Sequence, residues 1–261
     1  MSNKTLITYI TNWDRVYENV LEKEKILVKN NIDYFIANSS SITHDSWINL
    51  GNNAWCYRQL FEIFKHSYYQ DYLYTSILFG DIYTPDKVPI SDYIFETEKY
   101  IKELPDCYVY STSFTHDGWS YPATILKDYD EAVSYVCGTD TLYLTVHKDV
   151  VEWMFKFLEY FDKIYGIDNY FSGWAVDVLC SAFSIYNKKN VFRNKSSVLV
   201  HYENSGYDVG KAHQEMNQII SEGINFMVSN YGYNYSRLNK IVEMMFARRM
   251  SPIYSYESFY E

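Results

Sequence analysis

The stretch from Thr5 to Ser40 constrains this chain more than any other. "TLITYI" (5–10) is β-branched and aromatic, the composition of a strand. "NWDRVYENVLEKEKILVKNN" (12–31) then shifts to helical spacing, with Val16, Val20, Ile26 and Val28 as the expected buried positions and charges between them. "DYFIANSS" (33–40) follows as a second buried strand. A β-α-β start with short connections predicts a parallel, doubly wound sheet, whose ligands collect at the carboxyl ends of the strands. Thr11, Asn12 and Asn38 to Ser40 lie at those ends.

The remaining punctuation extends the same pattern. "LGNNAWCYRQLFEIFKHSYYQDY" (50–72) predicts a helix opening after a Gly-Asn-Asn turn, and "LYTSILFGDIYTPD" (73–86) predicts a strand stopping at Gly80-Asp81. "YVYSTSFTHDGWSYPATIL" (108–126) alternates like sheet around a His116–Trp119 turn, and "CGTDTLYLTVHKDVVEWMFKFLEYFDKI" (137–164) passes from strand to helix at Lys148. A helix is expected from Ala175 to about Tyr186, a strand ending at His201, and helices from Val209 onward. Nothing forces a domain split, so residues 1–261 are expected to form one domain. Its halves would cover about 1–100 and 101–215, with C-terminal helices over 216–261.

Composition narrows the function classes. At 261 residues the chain can bury a large core. Its 33 acidic against 23 basic residues give a net charge of −10, a field that repels a polyanion unless a local basic patch intervenes. Lys188, Lys189, Arg193 and Lys195 form one such run, and Arg237, Lys240, Arg248 and Arg249 a second. The 29 Tyr, 15 Phe and 6 Trp bring apolar surface with hydroxyl and indole handles, suited to sugar, base or nucleotide contacts. The same residue usage is what an A+T-rich coding sequence produces. Cys56, Cys107, Cys137 and Cys180 are widely spaced without a zinc pattern and read as reduced structural thiols. The N-terminal apolar run is too short for a signal peptide or a membrane span, so a cytoplasmic protein with no membrane partner is expected.

Three isolated polar residues stand out: Asp81 at a strand end, Asp177 in the apolar stretch "SGWAVD" (172–177), and His201 closing "SSVLVH". An ionised acid removed from water needs a partner. Taken together, a carboxylate and an imidazole can hold Mn²⁺ or Mg²⁺ with other positions open to phosphate oxygens, while a second carboxylate serves as base.

The order of these signals resembles nucleotide-sugar-dependent glycosyltransferases of the GT-A fold over roughly residues 5–215. "LGNNAWCYR" followed by "YTSILFGDI" is similar to the family's helix and acidic metal strand, "GWAVD" to its acceptor-acid motif, and "VLVHYENSGYD" to its terminal His segment. The resemblance implies an α/β, GT-A-like (Rossmann-like), mostly parallel sheet flanked by helices, with a helical C-terminal region. It implies Thr11, Asn12, Asn38, Arg58 and Asp81 at a nucleotide diphosphate sugar, a UDP-sugar first among them, with Arg58 as a diphosphate contact. Asp81 and His201 would hold the metal, Asp177 would be the catalytic base or acceptor-orienting acid, and Trp119, Trp174 and Tyr207 would meet the acceptor. The family's metal motif has two acids, whereas Asp81 is followed two positions later by Tyr83. The pattern Gly173, Trp174, Asp177, His201, Gly206, Tyr207, Ala212, Glu215, Met216 is similar to small phage enzymes that glycosylate hydroxymethylated pyrimidines in DNA, which implies DNA as the acceptor partner. A polysaccharide or glycoprotein acceptor is the competing expectation, and a non-catalytic carbohydrate-binding module the competing class.

Overall fold

The computed structural model describes residues 4–51, 56–85, 88–115, 125–201, 208–250 and 257–260. The chain runs β1 (Lys4–Asn12), a 3-10 turn (Asp14–Val16), α1 (Tyr17–Lys29), β2 (Tyr34–Asn38), β3 (Ile48–Asn49), α2 (Cys56–Tyr68), β4 (Tyr72–Leu78) and β5 (Ile82–Tyr83). It continues through α3 (Ile90–Glu103), β6 (Cys107–Thr115), β7 (Ile125–Asp128), β8 (Val133–Val136), β9 (Tyr143–His147) and α4 (Lys148–Tyr165). After a second 3-10 turn (Ile167–Asn169) come α5 (Val176–Tyr186), β10 (Asn190–His201), α6 (Val209–Tyr231), α7 (Tyr235–Met250) and α8 (Glu257–Tyr260).

The strands form one sheet in the order β3-β2-β1-β4-β9-β6-β10-β8-β7, with β5 paired to β10. β1, β2, β3 and β4 are mutually parallel. β9 is antiparallel to both β4 and β6, which restores β6 and its parallel neighbour β10 to the direction of β1. β5, β8 and β9 are the strands that oppose this direction, so the sheet is mixed but mostly parallel, as the β-α-β start predicts. The carboxyl ends of β1, β2, β4 and β10 therefore share one edge.

Helices cover both faces because the strands are apolar on both faces. Ile7 and Tyr9 of β1 enter the core built with α2, α4, α5, α6 and α7, while Ile10 enters the core built with α1 and α3. That split follows the two-residue period of a strand. β9 and α4 meet at His147/Lys148, as the sequence predicts. α3, with Ile90, Tyr93, Ile94 and Ile101 buried behind Pro89, is an element the sequence reading passed over.

The buried face of α1 differs from the expected one. Val16 and Val20 are buried, but Val28 is 58% exposed and Ile26 only half-buried. The stripe continues instead through Lys23, Glu24 and Leu27, the positions a 3.6-residue period dictates from Val20. Among the described residues no helix is long and apolar enough to cross a membrane. The four cysteines are free thiols.

Candidate active site

The shared strand edge is knit from within. Asn12 Nδ2 donates to Asn38 Oδ1 at 2.6 Å, and Asn38 Nδ2 donates to Asn49 Oδ1 at 2.7 Å. The Asn12 amide donates to Gln59 Oε1 of α2, and the Gly80 amide to Thr11 Oγ1. Thr11, Asn12 and Asn38 are all buried, so these three expected donor contacts build the edge and hold its loops in place. Gly80 lets the turn after β4 lie against β1: a Cβ there would sit 2.5 Å from the Thr11 carbonyl oxygen and 2.7 Å from Val16 Cγ2.

That turn presents Asp81. β5 follows it at once and pairs antiparallel with the end of β10, setting His201 opposite Ile82. The result is an approach of His201 Nε2 to Asp81 Oδ2 at 3.4 Å, joining two residues 120 positions apart in the chain. Both side chains remain about one-quarter exposed, whereas Asp81 Oδ1 is buried with no hydrogen-bond partner among the described residues. Behind the turn, Asn19 Nδ2 and Lys23 Nζ of α1 both donate to the Gly80 carbonyl, at 2.6 and 3.1 Å. Burial pushes the Lys23 ammonium down to about 7, against the pull of Asp81.

Asp177 occupies the first turn of α5 and is 8% exposed. Thr141 Oγ1, from the loop entering β9, donates to its Oδ1 at 3.2 Å. The segment leading into it is bent twice into the left-handed region, at Gly173 (φ +68°) and at Ala175 (φ +88°), the latter uncommon for a residue with a side chain. Three elements hold that shape. Tyr57 of α2 donates its hydroxyl to the Trp174 carbonyl, and Gly173 packs against Cys56. Glu215 of α6, 6% exposed, accepts the Phe171 and Ser172 amides on Oε2, both at 3.2 Å. Trp174 stands edge-on to His213, also on α6, with ring centroids 5.1 Å apart.

The start of α2 connects the two acids. Burial first and Asp81 second push the Cys56 thiol far above its ordinary range. The Tyr57 phenol is raised by burial and then by Cys56, Glu215 and Asp177.

Arg58 is committed elsewhere. Its Nε and Nη2 donate to the two carboxylate oxygens of Asp168 at 2.8 Å, with Asp162 at 3.2 Å and Glu62 at 3.6 Å. Asp168, Asp162 and Glu62 thus surround the guanidinium that sequence alone presents as an open diphosphate contact. Trp119 and Tyr207 lie outside the described residues. The first basic run is also dispersed: Arg193 is buried in β10, Lys189 pairs with Asp106 at 2.6 Å, and Lys195 pairs with Asp128 at 2.7 Å. Lys23, Tyr57 and Thr141 were not singled out from sequence, although the helical period through Val16 and Val20 passes through Lys23.

The two expected ligands of Mn²⁺ or Mg²⁺, Asp81 Oδ2 and His201 Nε2, lie 3.4 Å apart. No group of three or more His, Cys, Asp or Glu assembles among the described residues, so an ion there would draw its other ligands from phosphate oxygens and water.

No protein-family model and no curated protein sequence matches the chain. Among solved structures, one similar chain is a glycosyltransferase involved in the glycosylation of the major capsid of PBCV-1. It is 12% identical with a TM-score of 0.42, over 80% of this chain and 99% of that one. Similarity at this level carries neither activity nor substrate across.

Proposed function

We propose that this chain is a glycosyltransferase that moves a sugar from a nucleotide diphosphate donor to an acceptor hydroxyl. The observation that carries the reading is the Asp81–His201 pair at the carboxyl edge of the parallel strands, with Asp177 following a strained loop that packs on the first turn of α2. The edge formed by β1, β2 and β4 is where a doubly wound sheet receives a nucleotide. Asp81 and His201 would hold a divalent ion, which supplies positive charge to the leaving diphosphate. Asp177, oriented by Thr141, takes the acceptor proton in an inverting reaction or orients the acceptor in a retaining one. Trp174, half-buried against His213, offers a ring to a sugar.

A hydroxyl on a saccharide or glycoprotein suits the acidic chain better than a base in DNA. Of the first basic run, Arg193 is buried and Lys189 and Lys195 pair with Asp106 and Asp128, which leaves Lys188 exposed, and a polyanion needs a larger patch for affinity.

The test is thermal shift and donor hydrolysis across UDP-, GDP- and dTDP-sugars, with and without Mn²⁺, followed by acceptor assays on oligosaccharides and hydroxymethylated DNA. One nucleotide should stabilise the protein. Asp177→Asn should then bind the donor within about threefold of the unmodified chain while turnover falls by roughly 10²-fold or more. Failure of every nucleotide to bind would return the chain to the carbohydrate-binding class, and equal loss of binding and turnover in Asp177→Asn would make Asp177 structural.

A further inference from the structure

Lys23 is the anomaly of this molecule. Lys4, Lys25, Lys102, Lys156, Lys189 and Lys195 each meet a carboxylate oxygen within 3.0 Å at the surface. Lys23 is 5% exposed and has no carboxylate within ion-pair distance among the described residues. Its ammonium makes one hydrogen bond, to the Gly80 carbonyl, and lies 5.5 Å from the centre of the Tyr83 ring. An ammonium has three hydrogens to donate, and burying it without a counter-ion is strongly disfavoured. The charged group whose field does reach Lys23 is Asp81, on the turn directly in front of it. Gly80 and Tyr83 bracket Asp81 in sequence, so Lys23 grips both sides of the residue that faces the open strand edge. A charge fixed in a dry interior is screened little by salt and projects its field toward the nearest opening.

We propose that Lys23 is the built-in positive charge of the donor site: a positioning residue that sets the Asp81 turn and favours a nucleoside diphosphate, so that the donor is held even without a divalent ion. The inference rests on the donor-site reading above. It requires opposite effects on the two ions of the site, because the field that attracts a diphosphate repels a metal cation.

The experiment measures binding at pH 6.5, UDP in the presence of EDTA and Mn²⁺ alone, for the unmodified chain, Lys23→Met and Lys23→Arg. Circular dichroism checks that each is folded. Lys23→Met should weaken UDP about tenfold and tighten Mn²⁺ by roughly threefold or more, while Lys23→Arg keeps both affinities near their starting values. A purely structural lysine would weaken both ligands together in Lys23→Met, and that result, or unchanged UDP binding, overturns the inference while leaving the donor site standing. If Lys23→Met does not fold, Lys23→Gln takes its place against Lys23→Arg with the same expectations. Binding of neither UDP nor Mn²⁺ by the unmodified chain overturns the donor-site reading itself, and the role of Lys23 with it.

Discussion

Replacing Gly173 by alanine tests whether the loop before Asp177 has the shape described. Two penalties are legible. Gly173 has φ +68°, a conformation that costs an L-residue about 1–2 kcal/mol. The new Cβ would also stand 2.4 Å from Cys56 Sγ and 3.3 Å from both Cys56 Cβ and Leu60 Cδ1, an overlap the buried helix relieves only by shifting, at about 1–3 kcal/mol. Gly173→Ala should therefore lower the unfolding free energy by about 2–5 kcal/mol in urea denaturation. The two parts separate in a double-mutant cycle. Cys56→Ala removes the sulfur and with it the worst contact, so the pair should show a coupling of about 1–3 kcal/mol in the relieving direction, with the backbone part remaining. Donor turnover should fall with Gly173→Ala, because the shift moves the first turn of α5. A loss under 1 kcal/mol would refute both the left-handed turn and the Cys56 contact, and additive single and double variants would refute the Cys56 contact.

Glu215→Ala removes the carboxylate oxygen that accepts two amides of the same loop and should reduce turnover with little change in donor affinity. Glu215→Gln, which keeps an acceptor oxygen, should recover most of it, as steady-state kinetics would show. Arg58→Met leaves Asp162, Asp168 and Glu62 facing one another and should cost about 1–3 kcal/mol in stability while UDP affinity stays within twofold; a tenfold loss of affinity would return Arg58 to the diphosphate. The folded pKa of Lys23, about 7, lies below its ordinary 10.5, so above pH 7 the unfolded chain binds the extra proton and unfolding free energy rises with pH. Between pH 7 and 9.5 the unfolding free energy of the unmodified chain should gain about 3 kcal/mol on that of Lys23→Met in denaturation curves, while the thiols of Cys56, Cys107 and Cys180, pushed up by burial, lower both alike.

The sequence alone determined the layered architecture. β-branched and aromatic runs alternating with helical periods specify β1, α1 and β2, and short connections force them parallel, because a strand buried on both faces has nowhere else to pack. It also located Asp81, Asp177 and His201, since a charge inside an apolar run is conspicuous. Tertiary structure decided what those residues meet. The register of β5 on β10 brings His201 to Asp81, and no local spacing encodes a contact between strands 120 residues apart. Arg58 illustrates the converse: a lone cation on a helix reads as available, and only the fold shows Asp162 and Asp168 closing around it. Lys23 lies between the two cases. A 3.6-residue period from Val20 passes through it, yet a lysine contradicts the apolar pattern and the expected stripe ran through Ile26 and Val28 instead, so only the packing of α1 behind the Gly80 turn shows that it is buried and which charge it faces.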